Sequence, residues 1–337
     1  MSRLTARVTT RGGIHALATT ARRDTRWGNL LLIAEGSIRR GATVYGCSLW
    51  VDAYDLASNI DGTDLAEWSA RYGANPVQAT GSKQPEYSAN EWDGGPCLLF
   101  DDVGEYLECT LDLSTTPAVT LMWAGRSDAA SAAGFAFEYG DNAGSDKGFN
   151  GYYNSQSLSV YSSATVGFPT RRQDATGVAG RNVAAAALFD SSTTPDAVQM
   201  WKSDQDVLGE VTAFSVSDTT SKATANYGNN TGYIGSRSNS TLQLNGAIRA
   251  VLVIPAHPSD VDKLALFAAF STITLGHKLS GTTFSAEAEA LVYIEETLAE
   301  NDGKSWVGLR DLSGIADGAD VETWPSRLGP DPTQATS

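Results

Sequence analysis

Ala247–Ile254 reads AIRAVLVI, an apolar run of strand length rich in Val, Leu and Ile. Working outward from it, runs of the same kind recur at Cys97–Phe100, Tyr106–Leu111, Val119–Ala124, Phe135–Tyr139, Leu158–Tyr161, Val183–Phe189, Val198–Trp201 and Tyr233–Gly235. Clusters of turn-forming residues separate them, as in Asp141-Asn142-Ala143-Gly144 and Gly228-Asn229-Asn230-Thr231. Many short strands joined by polar turns predict two packed antiparallel sheets. Beyond Pro258, Ser259 is placed to cap a helix in which Val261, Leu264, Ala265, Phe267 and Ala268 fall at helical spacing. A second helix is expected over 286–299, ended by Asn301-Asp302-Gly303.

The chain has 337 residues, 42% hydrophobic and 19% charged, with 33 glycines, which fits a loop-rich globular protein of about two domains or one sandwich with appended segments. A net charge of −15 repels a phosphate backbone, so nucleic acid is not an expected partner. The longest apolar run, Leu30–Ala34, is too short to span a bilayer or serve as a secretory core, so a soluble compartment and no membrane are expected. Cys47, Cys97 and Cys109 lack metal-ligand spacing and are expected as buried thiols. No histidine stands near them: His15, His257 and His277 are far apart, and none accompanies a nucleophile motif.

Charge is unevenly placed. Residues 1–45 carry eight arginines, among them Arg3, Arg7, Arg11, Arg22, Arg23 and Arg26, against Asp24 and Glu35, which leaves six net positive charges there and −21 elsewhere. Such a leader is expected to be extended and to anchor on an acidic partner or a neighbouring copy. Trp50–Thr80 also aligns without gaps on Trp306–Thr336, sharing Trp50/Trp306, Asp55/Asp311, Leu56/Leu312, Asp61/Asp317, Trp68/Trp324, Arg71/Arg327 and Gly73/Gly329. The recurring Trp50 and Trp68 are expected to pin this opening segment to the sandwich. Trp123 and Trp201, inside apolar runs, are expected in the core.

With these parts in order, the chain resembles concanavalin A-like, laminin-G-type jelly-roll domains of bacteriophage tail and head appendages and bacterial surface proteins. The likeness rests on WVDAYDLASNIDGTDLAEWSARYGANPVQAT, QPEYSANEWDGGPCLLFDDVGEYLE, VTLMWAGRSDA, NVAAAALFDSSTTPDAVQMWKSD and TGYIGSRSNSTLQLNGAIRAVLVIPAHPSDVDKLALFAAF, and covers roughly residues 48 to 276. It implies a mainly β jelly-roll sandwich over 46–276, flanked by a basic arm over 1–45 and a helix-containing segment with the partial repeat over 277–337. It further implies a virion structural or adhesion protein, such as a fibre, spike or decoration, assembled in the host cytoplasm. Its arm would meet other virion proteins, the protein would be a homo-oligomer, and its sandwich would bind host-surface polysaccharide. A decoration protein without ligand and a polysaccharide-degrading enzyme are the alternatives.

Sugar recognition needs flat apolar faces and planar polar groups. Tyr139, Asp141, Asn142, Asp146, Phe149, Asn150, Tyr152, Tyr153 and Asn154 concentrate both in a Gly-broken segment, and Asn226, Tyr227, Asn229, Asn230 and Tyr233 form a second group. Asp141 and Asp146 are the weak candidates for calcium, although no DxDxDG spacing occurs; otherwise no cofactor is expected. Glucanases of this fold need paired carboxylates. Asp101, Asp102, Glu105, Glu295 and Glu296 do not form their E-x-D-x-x-E run, so a non-enzymatic protein is expected.

Overall fold

The computed structural model describes residues 34, 36–39, 41–42, 44–101, 103–128, 133–140, 148–154, 157–163, 170–192, 197–204, 207–210, 226–237 and 242–275. In chain order the strands are β1 (Leu49–Asp52), β2 (Thr63–Asp64), β3 (Ala70–Tyr72), β4 (Glu86–Trp92), β5 (Gly95–Asp101), β6 (Leu107–Leu113), β7 (Ala118–Ser127) and β8 (Ala133–Tyr139). They continue as β9 (Gly148–Asn154), β10 (Ser157–Ser163), β11 (Thr170–Gly177), β12 (Val183–Asp190), β13 (Ala197–Asp204), β14 (Val207–Glu210), β15 (Gly228–Ile234) and β16 (Asn245–Ile254). One long helix, α1 (Asp260–Leu275), follows.

Two antiparallel sheets result, so the β-sandwich expected from the alternating runs is the fold. Among the described residues the larger sheet has ten strands, running β14-β13-β12-β7-β16-β5-β4-β2 with β1 beside β16 and β3 beside β1, and the smaller has six, running β11-β10-β9-β8-β15-β6. Alternate residues of each strand meet between the sheets: Leu121 and Trp123 of β7, Val251 and Val253 of β16, Leu111 of β6, Phe137 and Tyr139 of β8, and Leu158 and Val160 of β10 share one core. Burying each large apolar side chain contributes about 1.5–3 kcal/mol.

The opposite face of the larger sheet is buried as well. Met122, Ala184, Ala186, Leu252 and Ile254 pack there against Phe267, Phe270 and Ile273 of α1, which explains why β12 (VAAAALFD) is apolar without alternation. Ser259 caps α1 as expected, its hydroxyl accepting the Asp262 N–H at 3.2 Å. The end of the basic leader differs from expectation: residues 34, 36–39, 41, 42, 44 and 45 are helical, and Ala34 and Ile38 are buried in this same layer. A side chain that reaches the sheet supplies the burial that an isolated extended arm lacks. Arg3, Arg7, Arg11, Arg22, Arg23 and Arg26 lie outside the described residues, as do 286–299 and 306–336.

Trp123 and Trp201 are buried, Trp201 in the layer beneath α1. Cys97 and Cys109 are buried and Cys47 is partly so; burial pushes all three thiols up to about 12, which keeps them protonated.

The opening segment is held to the sandwich as its two tryptophans imply. Trp68 and Trp50 are buried, and Arg71 lies over the Trp50 ring at 4.6 Å while gripping Asp55 at 2.7 and 3.1 Å. The strand it joins is irregular at one residue. Against β7, Ile248 pairs with Gly125 and Ala250 with Ala124, so Arg249 is the extra residue of a bulge. On the other edge, β5 pairs with β16 up to Ile248 and β1 pairs from Ala250 onward. Arg249 therefore fills the seam between two strands laid end to end. Its guanidinium is buried, 2.8 Å from Asp52, 3.3 Å from the Pro96 carbonyl and 3.7 Å from the Tyr54 ring centre. Burial opposes its charge and Asp52 favours it.

Removing one member of a buried pair leaves the other charge uncompensated. Asp52→Ala is expected to lower unfolding free energy by about 3–5 kcal/mol, measured by urea denaturation. A change within the scatter of surface substitutions would show that the pair does not hold the seam.

Candidate functional site

Both described α-helical segments lie on the larger sheet, so the outer face of the smaller sheet carries no described α-helix. Strand register assembles two rows of side chains across it. In the first, Glu108 pairs with Tyr233, Tyr233 with Glu138, Glu138 with Asn150 and Asn150 with Tyr161. In the second, Phe135 pairs with Tyr152, Tyr152 with Ser159 and Ser159 with Gln173. Neighbours within a row stand about 4.8 Å apart, which places polar and aromatic groups from all six strands on one face.

The aromatic part is compact. Phe135 and Tyr152 stack at 4.8 Å, and Tyr161 meets both edge-on at 6.4 and 5.8 Å. Phe135 points outward while Phe137 points into the core, because the pairing of β8 with β9 slips between them. Arg237 lies 6.0 Å from the Phe135 ring centre, and its Nε is 3.6 Å from the Glu138 carboxylate. Glu138 and Asn150 are 0% exposed. Neither the Oδ1 nor the Nδ2 of Asn150 has a hydrogen-bond partner, and the Ser159 hydroxyl is likewise unpartnered. Buried polar groups in folded proteins are nearly always paired, so an amide with both ends open is an exception that calls for a reason.

Burial pushes the Tyr161 phenol above its ordinary range, against weaker opposing effects of Arg237 and the adjacent Asn150 amide. It also raises Tyr233, with Glu108 and Glu138 adding to the shift. Both phenols therefore remain protonated and able to donate.

The two sequence groups are partly merged and partly divided by this arrangement. Asn150, Tyr152 and Tyr233 come together on the outer face. Tyr139, Phe149, Tyr153 and Tyr227 are corrected to core residues: each is at most 1% exposed and packs between the sheets. The Tyr139 hydroxyl donates to the Gly228 carbonyl at 2.7 Å, and that of Tyr227 lies 3.1 Å from Ser162 Oγ. Asn226 and Asn230 are engaged with the Ser114 and Tyr227 carbonyls, while Asn229 is exposed at the rim. Asn154 makes a long contact to Gln173 at 3.4 Å. Asp141, Asn142 and Asp146 lie outside the described residues.

The segment expected as a Gly-broken loop is strand β9. A Cβ on Gly151 would lie 2.8 Å from the Trp123 ring, so the glycine makes room for the indole and does not break the strand. Sequence reasoning missed Phe135, Glu138, Tyr161 and Arg237. Alternation in β10, with Leu158 and Val160 inward and Ser159 and Tyr161 outward, carries a signal for Tyr161; Arg237 carries none.

The carboxylates weighed as catalytic brace a turn. Glu105 accepts the Asp101 N–H and Asp101 the Val103 N–H, both at 2.8 Å, between β5 and β6. Asp102, Glu295 and Glu296 lie outside the described residues. His257 is spent on the Phe189 carbonyl at 2.8 Å.

No family model and no curated protein sequence matches the chain. Solved structures do resemble it. Trypanosoma rangeli sialidase in complex with sialic acid is 11% identical at a TM-score of 0.45, over 68% of this chain and 33% of that one. Ruminococcus gnavus IT-sialidase CBM40 bound to α2,3-sialyllactose is 13% identical at a TM-score of 0.34, over 50% of this chain and 94% of that one. The chain thus spans about a third of the sialidase it matches.

Burial, as the largest influence, pushes the Glu105 carboxyl from 4.5 up to about 7. A folded-state value above the unfolded one stabilises below the unfolded pKa, and that contribution is lost as pH rises through about 7. Glu105→Gln is therefore expected to gain stability relative to the parent between about pH 5 and about pH 8, read from urea midpoints. An unchanged difference over that range would refute the assignment.

Proposed function

We propose that the outer face of the smaller sheet binds carbohydrate without cleaving it. The observation that carries this reading is the Asn150 amide, buried with neither end hydrogen-bonded and set between Tyr161 and Glu138 beside the Phe135 and Tyr152 rings, so that a sugar reaching it would meet an unpaired donor and acceptor. An amide presents a donor and an acceptor side by side, which matches the paired hydroxyls of a sugar ring, and aromatic faces suit its C–H surface. Tyr233 and Tyr161 add hydroxyl donors, and Glu138 adds an acceptor held by Arg237.

We extend the reading to a structural or adhesion protein of a phage-type virion, assembled in the host cytoplasm as a homo-oligomer and directed at host-surface polysaccharide. The sequence resemblance and the cationic start, whose arginines would meet other virion proteins, support it. Weak single sites gain from multivalency, which favours an oligomeric adhesin.

A glycan array probed with the full chain tests the binding reading, and the absence of glycan-dependent retention would sink it. For a glycan that is retained, Asn150→Ala is expected to weaken binding about tenfold, the equivalent of one hydrogen-bonded amide. The same substitution is expected to leave thermal stability unchanged or raised, because it removes a buried amide that has no partner in the unliganded fold.

A further inference from the structure

Exposure along the first row of the smaller sheet is graded. Tyr161, Asn150 and Glu138 are buried, Tyr233 and Glu108 are half-buried, and Thr110, two residues beyond Glu108 on the same face of β6, is exposed. The row is thus closed at β10 and open at β15 and β6. Its open end repeats the chemistry of the closed one. The Tyr233 ring is met edge-on by Tyr106 at 6.2 Å, which steadies it. Glu108 pairs with Tyr233 on one side and Glu138 on the other, so a carboxylate flanks the ring at each neighbouring strand. Beside them Thr231 pairs with Thr110, adding two hydroxyls. An aromatic face, acceptors and hydroxyls again stand together, here where a ligand has access.

Distance decides how much of a glycan these groups can share. Across the strands Tyr233 stands about 10 Å and Glu108 about 14 Å from Asn150, more than one sugar ring can bridge. Resting on the carbohydrate reading above, we infer that the site takes the end of an oligosaccharide laid across the strands, with three units in contact and Tyr233 and Glu108 forming the outer two subsites. The end sugar occupies the inner subsite, because Tyr161 closes the row beyond Asn150 and leaves no path for the chain to continue. The second unit lies on the Tyr233 ring, and the third meets Glu108 with the Thr110 and Thr231 hydroxyls.

Competition with the full chain's binding to a glycan retained on the array, by the mono-, di-, tri- and tetrasaccharide of that glycan, tests this. Affinity is expected to rise at least about tenfold from one unit to three and to gain little from the fourth. Tyr233→Ala is expected to remove most of that rise while leaving the monosaccharide affinity at the parent's value. Glu108→Gln, a change too small to disturb the strand, is expected to weaken the tri- and tetrasaccharide and spare the two shorter ligands. Equal affinity for all four lengths would overturn the inference and leave the carbohydrate reading standing. So would variants that weaken the monosaccharide as much as the trisaccharide, since both residues would then act through the fold. Retention of no glycan at all would remove the reading and the inference together.

Discussion

The sandwich depends on one buried charge. Arg249 is the bulged residue of the strand that both β5 and β1 use, and it occupies the point where one partner ends and the other begins. Without the bulge, β16 could not place Ile248 and Val251 in the inner core while turning Ala247, Ala250 and Leu252 toward α1. A guanidinium suits the seam because its Nη1 reaches both sides of it, Asp52 on β1 and the Pro96 carbonyl on β5. The Tyr54 ring closes over the remaining side. The opening segment, with its Arg71 clamp, is thereby fixed to the strand that organises the larger sheet.

From that constraint follows the asymmetry of the two outer faces. The larger sheet is buried on both sides, and its outer side chains are small or aliphatic: Ala124, Ala184, Ala186 and Ala250 let α1 approach. The smaller sheet keeps strict alternation in β10, with polar and aromatic groups outward. Its outer row mixes two carboxylates, an amide and two phenols. Such a row does little for folding, and the open Asn150 amide works against it.

Much of this was legible in the chain. Nine apolar runs fall on strands, and Ser259 caps the helix it was expected to cap, because period-two burial and side-chain capping are local signals. The site was harder to read. Tyr139, Tyr152 and Tyr153 look alike in sequence, yet whether a tyrosine faces core or solvent depends on register, and β9 was obscured by Gly151, whose purpose lies across the sandwich in Trp123. Arg249 was visible as a charge inside an apolar run, but its partner stands far back in the chain at Asp52. Long-range charge pairing leaves no spacing pattern to find. The helical end of the leader was missed for a related reason: its burial comes from a sheet built by later residues.

The burial of Ala34 and Ile38 beneath the larger sheet has a geometric consequence. Sheets in a sandwich lie about 10 Å apart, and a packed helix adds roughly another 10 Å. Ala34 and Ile38 thus lie behind the larger sheet, with both sheets between them and the Asn150 row. A sugar held on the proposed row would therefore touch neither that helical segment nor α1, since both pack behind the larger sheet.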